Sequence, residues 1–344
     1  MKNDATIDMV AKTCGVSKST VSKALNAHRY GARISALTRD RVRRVAACIG
    51  YIPDFTTRMK ARKKSWYLGL VYSGYAPLTR GVYETLPEKI AFWAMKAGYQ
   101  LIFMPMIADR MGMSKTMCAH RVDGCVATEI SPAMEVYLAS DRIPCVLFNE
   151  AGHGNLSRVL VDEQSGTQRI TQHLLALGHR RIAFCHFRLD QTYANGIAHY
   201  SFELRRRTFL ETMRASAASP TEFLGKSVEQ FFASAVWTSK ARPTAVVCEC
   251  HDDAYAFIAR CRKLDVAVPD DVSVACFNHT EAMLWSSPTI TAVDIPIDDM
   301  AKRAISLLVK AIDGEGTEKP NTAWCTPKVL PGESTVRIPM SVGR

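Results

Sequence analysis

Hydroxyl and basic side chains cluster in one short stretch near the start of the chain, residues 17–23. Apolar residues recur there at helical spacing, and the opposite side of this pattern carries Lys18, Ser19, Ser22 and Lys23. Lysines and short hydroxyl side chains hydrogen-bond to phosphate oxygens and base edges, and no carboxylate stands among them. The stretch is therefore typical of a helix that lies in the major groove of DNA.

A second group of reactive side chains lies further along the chain. Cys248, Cys250 and His251 stand at the end of one predicted strand, and Cys276 and His279 at the end of a neighbouring one. Thiolate and imidazole bind zinc or copper, but alternation along a strand puts Cys250 and His251 on opposite faces, and the spacing matches no zinc finger. We keep a metal- or redox-responsive regulator as an alternative and assign no metal ligand.

Motifs of enzyme chemistry are missing from the sequence. It has no glycine-rich phosphate loop, nucleophile elbow, HExxH or paired zinc cysteines. We therefore expect no catalytic residue, no cofactor and no enzyme activity. The eleven scattered cysteines are expected to be reduced, buried thiols.

The net charge is confined to one end of the chain. Residues 1–65 hold 15 Lys and Arg against 4 Asp and Glu, a net of +11, whereas the other 279 residues hold 29 of each. A small, strongly basic module favours a nucleic-acid partner first and an anionic membrane surface second. No apolar run reaches the roughly 18 residues of a membrane span, and the opening residues lack the apolar core of a signal peptide. We expect a cytoplasmic protein without a membrane partner.

Three short helices are predicted within the basic module. Thr6 and Ser17 precede helical patterns as N-caps, and Gly15 provides the turn between the first two helices. Thr38 is the expected cap of a third helix that ends at Gly50. Two helices that meet at a glycine turn are typical of a helix-turn-helix.

From Leu68 onwards, short apolar runs alternate with amphipathic stretches. The first series includes LGLVYS, VDGCVAT and IPCVLFN, and the second includes RIAFCHF, TAVVCEC and VSVACFN. This alternation predicts two similar lobes with parallel sheets, and ligands bind outside the carboxyl ends of such strands. A small-molecule-binding protein without regulatory DNA binding is a further alternative.

The segments TIDMVAKTCGVSKSTVSKALN, LTRDRV and GYIPD resemble the helix-turn-helix of the lactose-repressor (LacI/GalR) family. This resemblance implies that Lys18, Ser19 and Lys23 read bases, and that Thr20, Ser22 and Asn26 contact phosphates. We add three residues at helix starts and three in the following segment to the expected DNA-binding set, namely Thr6, Ser17, Thr38, Arg58, Met59 and Lys60.

Residues 54–65 resemble the hinge helix of the same family, which orders on DNA and inserts an apolar side chain into the minor groove. Lys60 stands where the family usually has the inserting leucine, and the apolar Met59 is adjacent. Insertion of Met59, weaker bending of the operator and a simple basic linker are all left open.

The rest of the chain resembles the family's effector domain, which is similar to periplasmic sugar-binding proteins. Arg205 stands where the family has a ligand-clamping arginine, whose guanidinium can bind vicinal hydroxyls or a carboxylate. The resemblance places six further residues in the pocket, namely Thr128, Asn149, Ser201, Cys250, His251 and Asn278. Amides at Asn149 and Asn278, where the family often has carboxylates, lower the expected negative charge of this pocket.

The sequence thus predicts a small all-α helix-turn-helix DNA-binding head (1–53), a hinge helix or linker (54–65) and a two-lobed α/β periplasmic-binding-protein-like effector and dimerisation domain (66–344). The expected function is a transcriptional regulator, most simply a repressor, controlled by a sugar or sugar derivative bound between the lobes. The expected partners are an inverted-repeat operator in double-stranded DNA, a small-molecule effector and a second copy of the chain, because the family's long tetramer-forming tail is missing. Induction and corepression are both compatible with the sequence.

Overall fold

The computed structural model describes residues 5–25, 34–51, 64–73, 81–106, 122–140, 143–152, 154–188, 199–315 and 319–338. The chain divides into two compact units, Met1–Lys64 and Ser65–Arg344. Within the described residues, no helix has both the length and the apolar character that a membrane span requires.

The described part of the first unit contains three helices, α1 (Ile7–Cys14), α2 (Lys18–Leu25) and α3 (Ala36–Cys48). The predicted caps of the first two are confirmed, because Thr6 accepts a hydrogen bond from the Met9 amide and Ser17 from the Thr20 amide. Gly15 adopts the left-handed conformation (φ 62°), which lets the chain turn directly from α1 into α2.

The predicted cap of α3 is wrong by three residues. Ser35, not Thr38, caps this helix, because the Ser35 hydroxyl accepts a hydrogen bond from the Thr38 amide. Thr38 lies inside the first turn, with its hydroxyl 2.9 Å from that of Ser35. The three helices pack around a small buried core made of Val10, Ala11, Cys14, Val21, Ala24, Val42 and Ala46.

The described residues of the second unit form two six-stranded sheets. The first has the order β11-β5-β4-β3-β1-β2, all parallel, and the second the order β12-β10-β9-β8-β6-β7, parallel except for the edge strand β12. The strands are β1 (Tyr67–Ser73), β2 (Gln100–Met106), β3 (Gly124–Thr128), β4 (Cys145–Phe148), β5 (Ser157–Val161), β6 (Arg181–His186), β7 (Ser219–Leu224), β8 (Ala245–Cys248), β9 (Ser273–Phe277), β10 (Thr291–Asp294), β11 (Thr322–Cys325) and β12 (Lys328–Leu330). The predicted two-lobed α/β architecture is confirmed.

Helices cover both faces of each sheet. They are α4 (Leu86–Lys96), α5 (Pro132–Ser140), α6 (Glu163–Ala176), α7 (Tyr200–Ala215), α8 (Val228–Ala233), α9 (Ala235–Thr238), α10 (His251–Lys263) and α11 (Ile297–Ile312). Helices α4 and α11 share one core of the first lobe and α5 contributes to the other. In the second lobe, α6 and α7 share one core, and α8 and α10 share the other.

The described elements pass between the lobes three times. The chain crosses after β5, before α11, and between β11 and β12. Each lobe is therefore assembled from segments that are far apart in the sequence, and the carboxyl ends of β4 and β5 contact Tyr200 of the second lobe.

Candidate functional site

The exposed side of α2 carries the side chains that the sequence assigned to DNA. Ser17, Lys18, Ser19, Ser22 and Lys23 are all exposed, while Val21 and Ala24 of the same helix are fully buried. The burial of Val21 and Ala24 fixes which face of α2 points outwards. A short helix with an uncovered row of hydroxyls and lysines can enter the major groove.

Lys18 is held on this surface by an ion pair with Asp8, whose carboxylate lies 2.6 Å from the ammonium. Both side chains are more than 60% exposed, so the pair is readily exchanged for a contact with DNA. Thr20 is half-buried, and its hydroxyl lies 2.9 Å from the Ser17 hydroxyl. Asn26, Arg58, Met59 and Lys60, together with residues 54–63 of the hinge, lie outside the described residues.

Asn149 links the two lobes of the second unit. It follows β4 of the first lobe, and its side-chain oxygen accepts a hydrogen bond from the Tyr200 hydroxyl (2.8 Å) at the start of α7 in the second lobe. Its amide donates to the Tyr83 hydroxyl (3.0 Å), and its main-chain carbonyl lies 2.7 Å from Nε2 of His199. Because a carbonyl only accepts, Nε2 of His199 carries the proton.

Arg205 is buried in the second lobe. Its guanidinium makes a two-bond contact with the carboxylate of Glu163 (2.7 and 2.8 Å) and also donates to Glu249 (3.1 Å) and to the side-chain oxygen of Asn278 (3.0 Å). It stacks over the Phe277 ring at 4.4 Å. Arg205 is not a surface arginine, because its side chain is only 3% exposed.

Three residues that directly follow strands of the two sheets have left-handed backbone conformations. Glu129 after β3, Asn149 after β4 and Asn278 after β9 have φ values of 51°, 56° and 66°. Such conformations are unfavourable for residues with a Cβ atom, and they turn the chain sharply at each strand end. The region that they form, together with Glu163, Arg205 and Glu249, is called the inter-lobe site below.

The remaining predicted pocket residues take different places. Thr128 is fully buried at the end of β3, and its hydroxyl has no hydrogen-bond partner among the described groups. The hydroxyl of Ser201 lies 2.7 Å from Nδ1 of His199 and so orients that ring. His251 packs against Gly81 of the first lobe. A Cβ atom added to Gly81 would lie 2.7 Å from the His251 ring.

The strand geometry assumed for Cys250 and His251 is wrong. Strand β8 ends at Cys248, Cys250 is the residue before α10, and His251 is the first residue of that helix. The sulfur of Cys250 accepts a hydrogen bond from Arg188 (2.7 Å), and burial raises the pKa of its thiol well above the usual value. Burial also lowers the pKa of His251.

One group of side chains in the described part of the chain could hold a metal ion. His186, Glu249 and Asp253 place donor atoms within 4.8 Å of one another, and none of the cysteines belongs to this group. However, two arginines already donate to these carboxylates, Arg205 to Glu249 and Arg188 to Asp253 (3.2 Å). A cation at this position would therefore have to displace or repel a guanidinium.

The sequence reasoning missed the carboxylates of the inter-lobe site. Glu129, Glu150, Glu163 and Glu249 each follow the end of a strand, so the site holds carboxyl groups that the sequence reasoning did not name. Burial and the neighbouring charge of Glu129 raise the pKa of Glu150 to about 8. The signal that would have found them was the position of each glutamate directly after an apolar run.

Comparisons with known proteins agree with this division of the chain. Residues 6–54 match the family described as bacterial regulatory proteins, lacI family, and residues 171–335 match the periplasmic binding protein-like domain. The regulator NtdR of the NTD biosynthesis operon of Bacillus subtilis is 24% identical over 96% of this chain and 99% of its own. The ribose operon repressor of Escherichia coli is 25% identical over 90% of this chain and 93% of its own.

Solved structures share the fold at lower identity. A lac repressor dimer bound to operator and an anti-inducer matches with a TM-score of 0.75 at 19% identity, over 96% of this chain and 99% of the other. The regulator CelR in complex with cellobiose matches with a TM-score of 0.64 at 21% identity, over the same shares of the two chains. The chain therefore joins a DNA-binding domain that matches the lacI family to a periplasmic binding protein-like domain, and it is a DNA-binding transcriptional regulator.

Proposed function

We propose that the chain represses transcription by binding an operator as a homodimer, and that a small molecule in the inter-lobe site sets its affinity for the operator. The observation that carries this proposal is the exposed row of hydroxyls and lysines on α2, within a unit that holds all of the net charge. Binding to DNA also places the protein in the cytoplasm, without a membrane partner.

The operator is expected to be an inverted repeat. One short recognition helix reads few base pairs, and two related by a dyad must face the same side of the duplex. The lac repressor with a similar fold was solved as a dimer bound to operator, which supports this arrangement. Footprinting on genomic fragments should reveal a protected dyad, and affinity should fall steeply with salt as phosphate contacts release counterions. A footprint without a dyad, or a complex insensitive to salt, would contradict the proposal.

Lys23 provides the sharper test of base reading. Its ammonium is exposed on α2, so we expect Lys23→Ala to relax base preference at one operator position by about 1–3 kcal/mol. Lys12→Ala is the matched control, because it removes the same charge from the exposed side of α1. Binding to a library of operator variants measures both. If the two substitutions weaken all sequences equally, Lys23 contacts phosphate only.

A homodimer is supported by exposed apolar side chains on the first lobe. Phe92 and Met95 of α4 and Phe103 of the edge strand β2 are 43–59% exposed. Apolar side chains gathered on one side of a lobe favour burial against another protein surface.

The inter-lobe site supports an effector. Asn149 and Asn278 stand at strand ends of different lobes, where bound ligands of open α/β sheets are found. The similar proteins include the ribose operon repressor and the regulator CelR in complex with cellobiose, which favours a sugar or sugar derivative here. Operator binding measured with and without a panel of sugars tests this part, and the sign of the change distinguishes induction from corepression.

A further inference from the structure

Arg205 has no hydrogen-bond donor left for a ligand. A guanidinium has five N–H donors, and in this chain five hydrogen bonds run from it to Glu163 (two), to the carboxylate and the carbonyl of Glu249, and to Asn278. An anionic effector would have to displace one of these buried partners. The residue that the sequence assigned as a ligand clamp is instead committed to holding protein carboxylates.

The other arginine near these strand ends is committed as well. Arg188 donates to Asp252 (2.8 Å), to Asp253 (3.2 Å) and to the sulfur of Cys250 (2.7 Å). Each arginine is thus matched by two carboxylates within the protein. Neither supplies the spare positive charge that a phosphate or carboxylate ligand needs.

Two further carboxylates have no basic partner. Among the ion pairs of the described residues, none involves Glu129 or Glu150. An oxygen of Glu150 accepts a hydrogen bond from the main-chain amide of Glu129 (2.6 Å), and the charge of Glu129 helps to raise the pKa of Glu150, so the two carboxyl groups lie near each other. Two acidic groups side by side, one of them largely buried, favour a cation between them.

These carboxylates and those around Arg205 face a common region. The pKa of Tyr200 is raised by burial and by the charges of Glu163 and Glu150, which come from opposite sides of the inter-lobe site. The pKa of Tyr83 is raised by burial and by the charges of Glu129 and Glu150. The carboxyl groups of Glu129, Glu150 and Glu163 therefore lie around the line of hydrogen bonds that joins Tyr83, Asn149 and Tyr200.

A buried hydroxyl at the same strand ends points to a ligand independently of charge. Thr128 immediately precedes Glu129 and is fully buried, and its hydroxyl bonds to no described group. A buried hydroxyl without a partner is costly, and a bound polar molecule would remove that cost.

We propose that the effector carries a basic amine on a polyhydroxylated frame, as in an amino sugar. This inference rests on the proposed function, namely that an effector binds in the inter-lobe site. Its ammonium group lies between Glu129 and Glu150, where it displaces the proton that Glu150 holds in the free chain, and one of its hydroxyls bonds to Thr128. Arg205 positions Glu163, Glu249 and Asn278 and does not grip the ligand itself.

The proposal is tested with the full chain and matched ligands. Glucosamine, galactosamine and mannosamine are each compared with the parent sugar, the N-acetyl derivative of the amine and the 6-phosphate of the parent sugar. Calorimetry and operator binding are measured in the same samples. We expect at least one amine to bind about tenfold or more tightly than its three counterparts, because only the amine gains the charged contact. N-acetylation removes the charge and keeps the frame, so it separates charge from shape.

Two variants locate the amine. Glu129→Gln and Glu150→Gln should each weaken binding of the amine by about tenfold or more and leave binding of the parent sugar nearly unchanged. Glu211→Gln is the control, since this carboxylate is 59% exposed on α7. Having two variants keeps the test valid if one of them folds poorly.

The contrary results are distinct from failure of the proposed function. If a neutral sugar or a 6-phosphate binds most tightly and alters operator binding, the proposal of an amine effector is overturned and the proposed function as a regulator stands. Binding of zinc alone, lost in Glu249→Gln, would overturn the amine proposal in favour of a metal. Absence of binding by any amine at millimolar concentration would also overturn the amine proposal. Loss of sequence-specific operator binding in every sample would instead contradict the proposed function.

Discussion

Because Arg205 and Glu163 form a buried ion pair, we expect Arg205→Ala to destabilise the fold, whatever its effect on ligand binding. Both side chains are at most 3% exposed, so removing the guanidinium leaves an uncompensated carboxylate in the core. We expect a loss of about 3–5 kcal/mol in the free energy of unfolding, measured with urea. Arg206→Ala on the partly exposed side of the same helix is the control. A loss below about 1 kcal/mol would mean that the pair is not buried as described.

Glu150 should make stability depend on pH. Burial and the neighbouring Glu129 and Glu135 raise its pKa from 4.5 to about 8, while main-chain N–H groups of Glu129 and Ile130 oppose the rise. The folded chain thus keeps a proton that the unfolded chain releases, and its stability falls as the pH rises from about 4.5 through about 8. Thermal unfolding at about pH 5 and about pH 9 should show a smaller fall for Glu150→Gln than for the unaltered chain. Parallel curves would show that Glu150 ionises normally.

The positions of single residues could be predicted from the sequence more often than the residues that they contact. The resemblance to the lacI family, rather than periodicity, placed Asn149, Arg205 and Asn278 among the pocket residues. It did not reveal that Glu163 and Glu249 occupy the guanidinium, since they lie 42 and 44 residues away from Arg205 in the chain. Contacts of this kind depend on how strands are ordered in the sheet, which periodicity does not specify.

At the scale of elements, we expect the proposed homodimer to use α4, the described helix of the first lobe that exposes both Phe92 and Met95. Met95→Asp on this helix should weaken the dimer by about tenfold or more, because it places a charge among apolar side chains that become buried. Val136→Asp on α5 is the control, since Val136 is 71% exposed and its helix packs on the opposite face of the first sheet. Sedimentation velocity over a range of concentrations measures both. Equal effects of the two substitutions would place the interface elsewhere.

Most elements could be predicted from apolar patterns, but their ends could not. The strands β1, β3, β4, β6, β8 and β9 were found because each is a nearly continuous apolar run, as parallel buried strands require. Strand β7 was missed because its sequence, SPTEFL, has neither such a run nor a regular alternation. The cap of α3 was misplaced because Ser35 and Thr38 are both good caps, and only the hydrogen bond decides between them.

For the whole molecule, the division at Lys64 and Ser65 predicts that the units function separately. Each unit has its own buried core, so a chain that begins at Ser65 should fold and keep its response to ligand. It should lose operator binding, because the net charge of +11 lies in residues 1–65. Calorimetry and gel shift of the shortened chain check the two halves of this prediction. Operator binding by the shortened chain would contradict it.

The three passages of the chain between the lobes also determine the order in which the protein can fold during synthesis. The core of the first lobe includes Met300, Ala304 and Leu308 of α11, and its sheet is completed by β11, which ends at Cys325. A nascent chain can therefore finish neither lobe until almost all of it has left the ribosome, even though β1 emerges early. Contacts so distant in sequence slow folding and leave apolar strands exposed in the meantime. A chain terminated before Ile297 should accordingly lose the first lobe as well as the second, and chaperone dependence should extend over most of its translation.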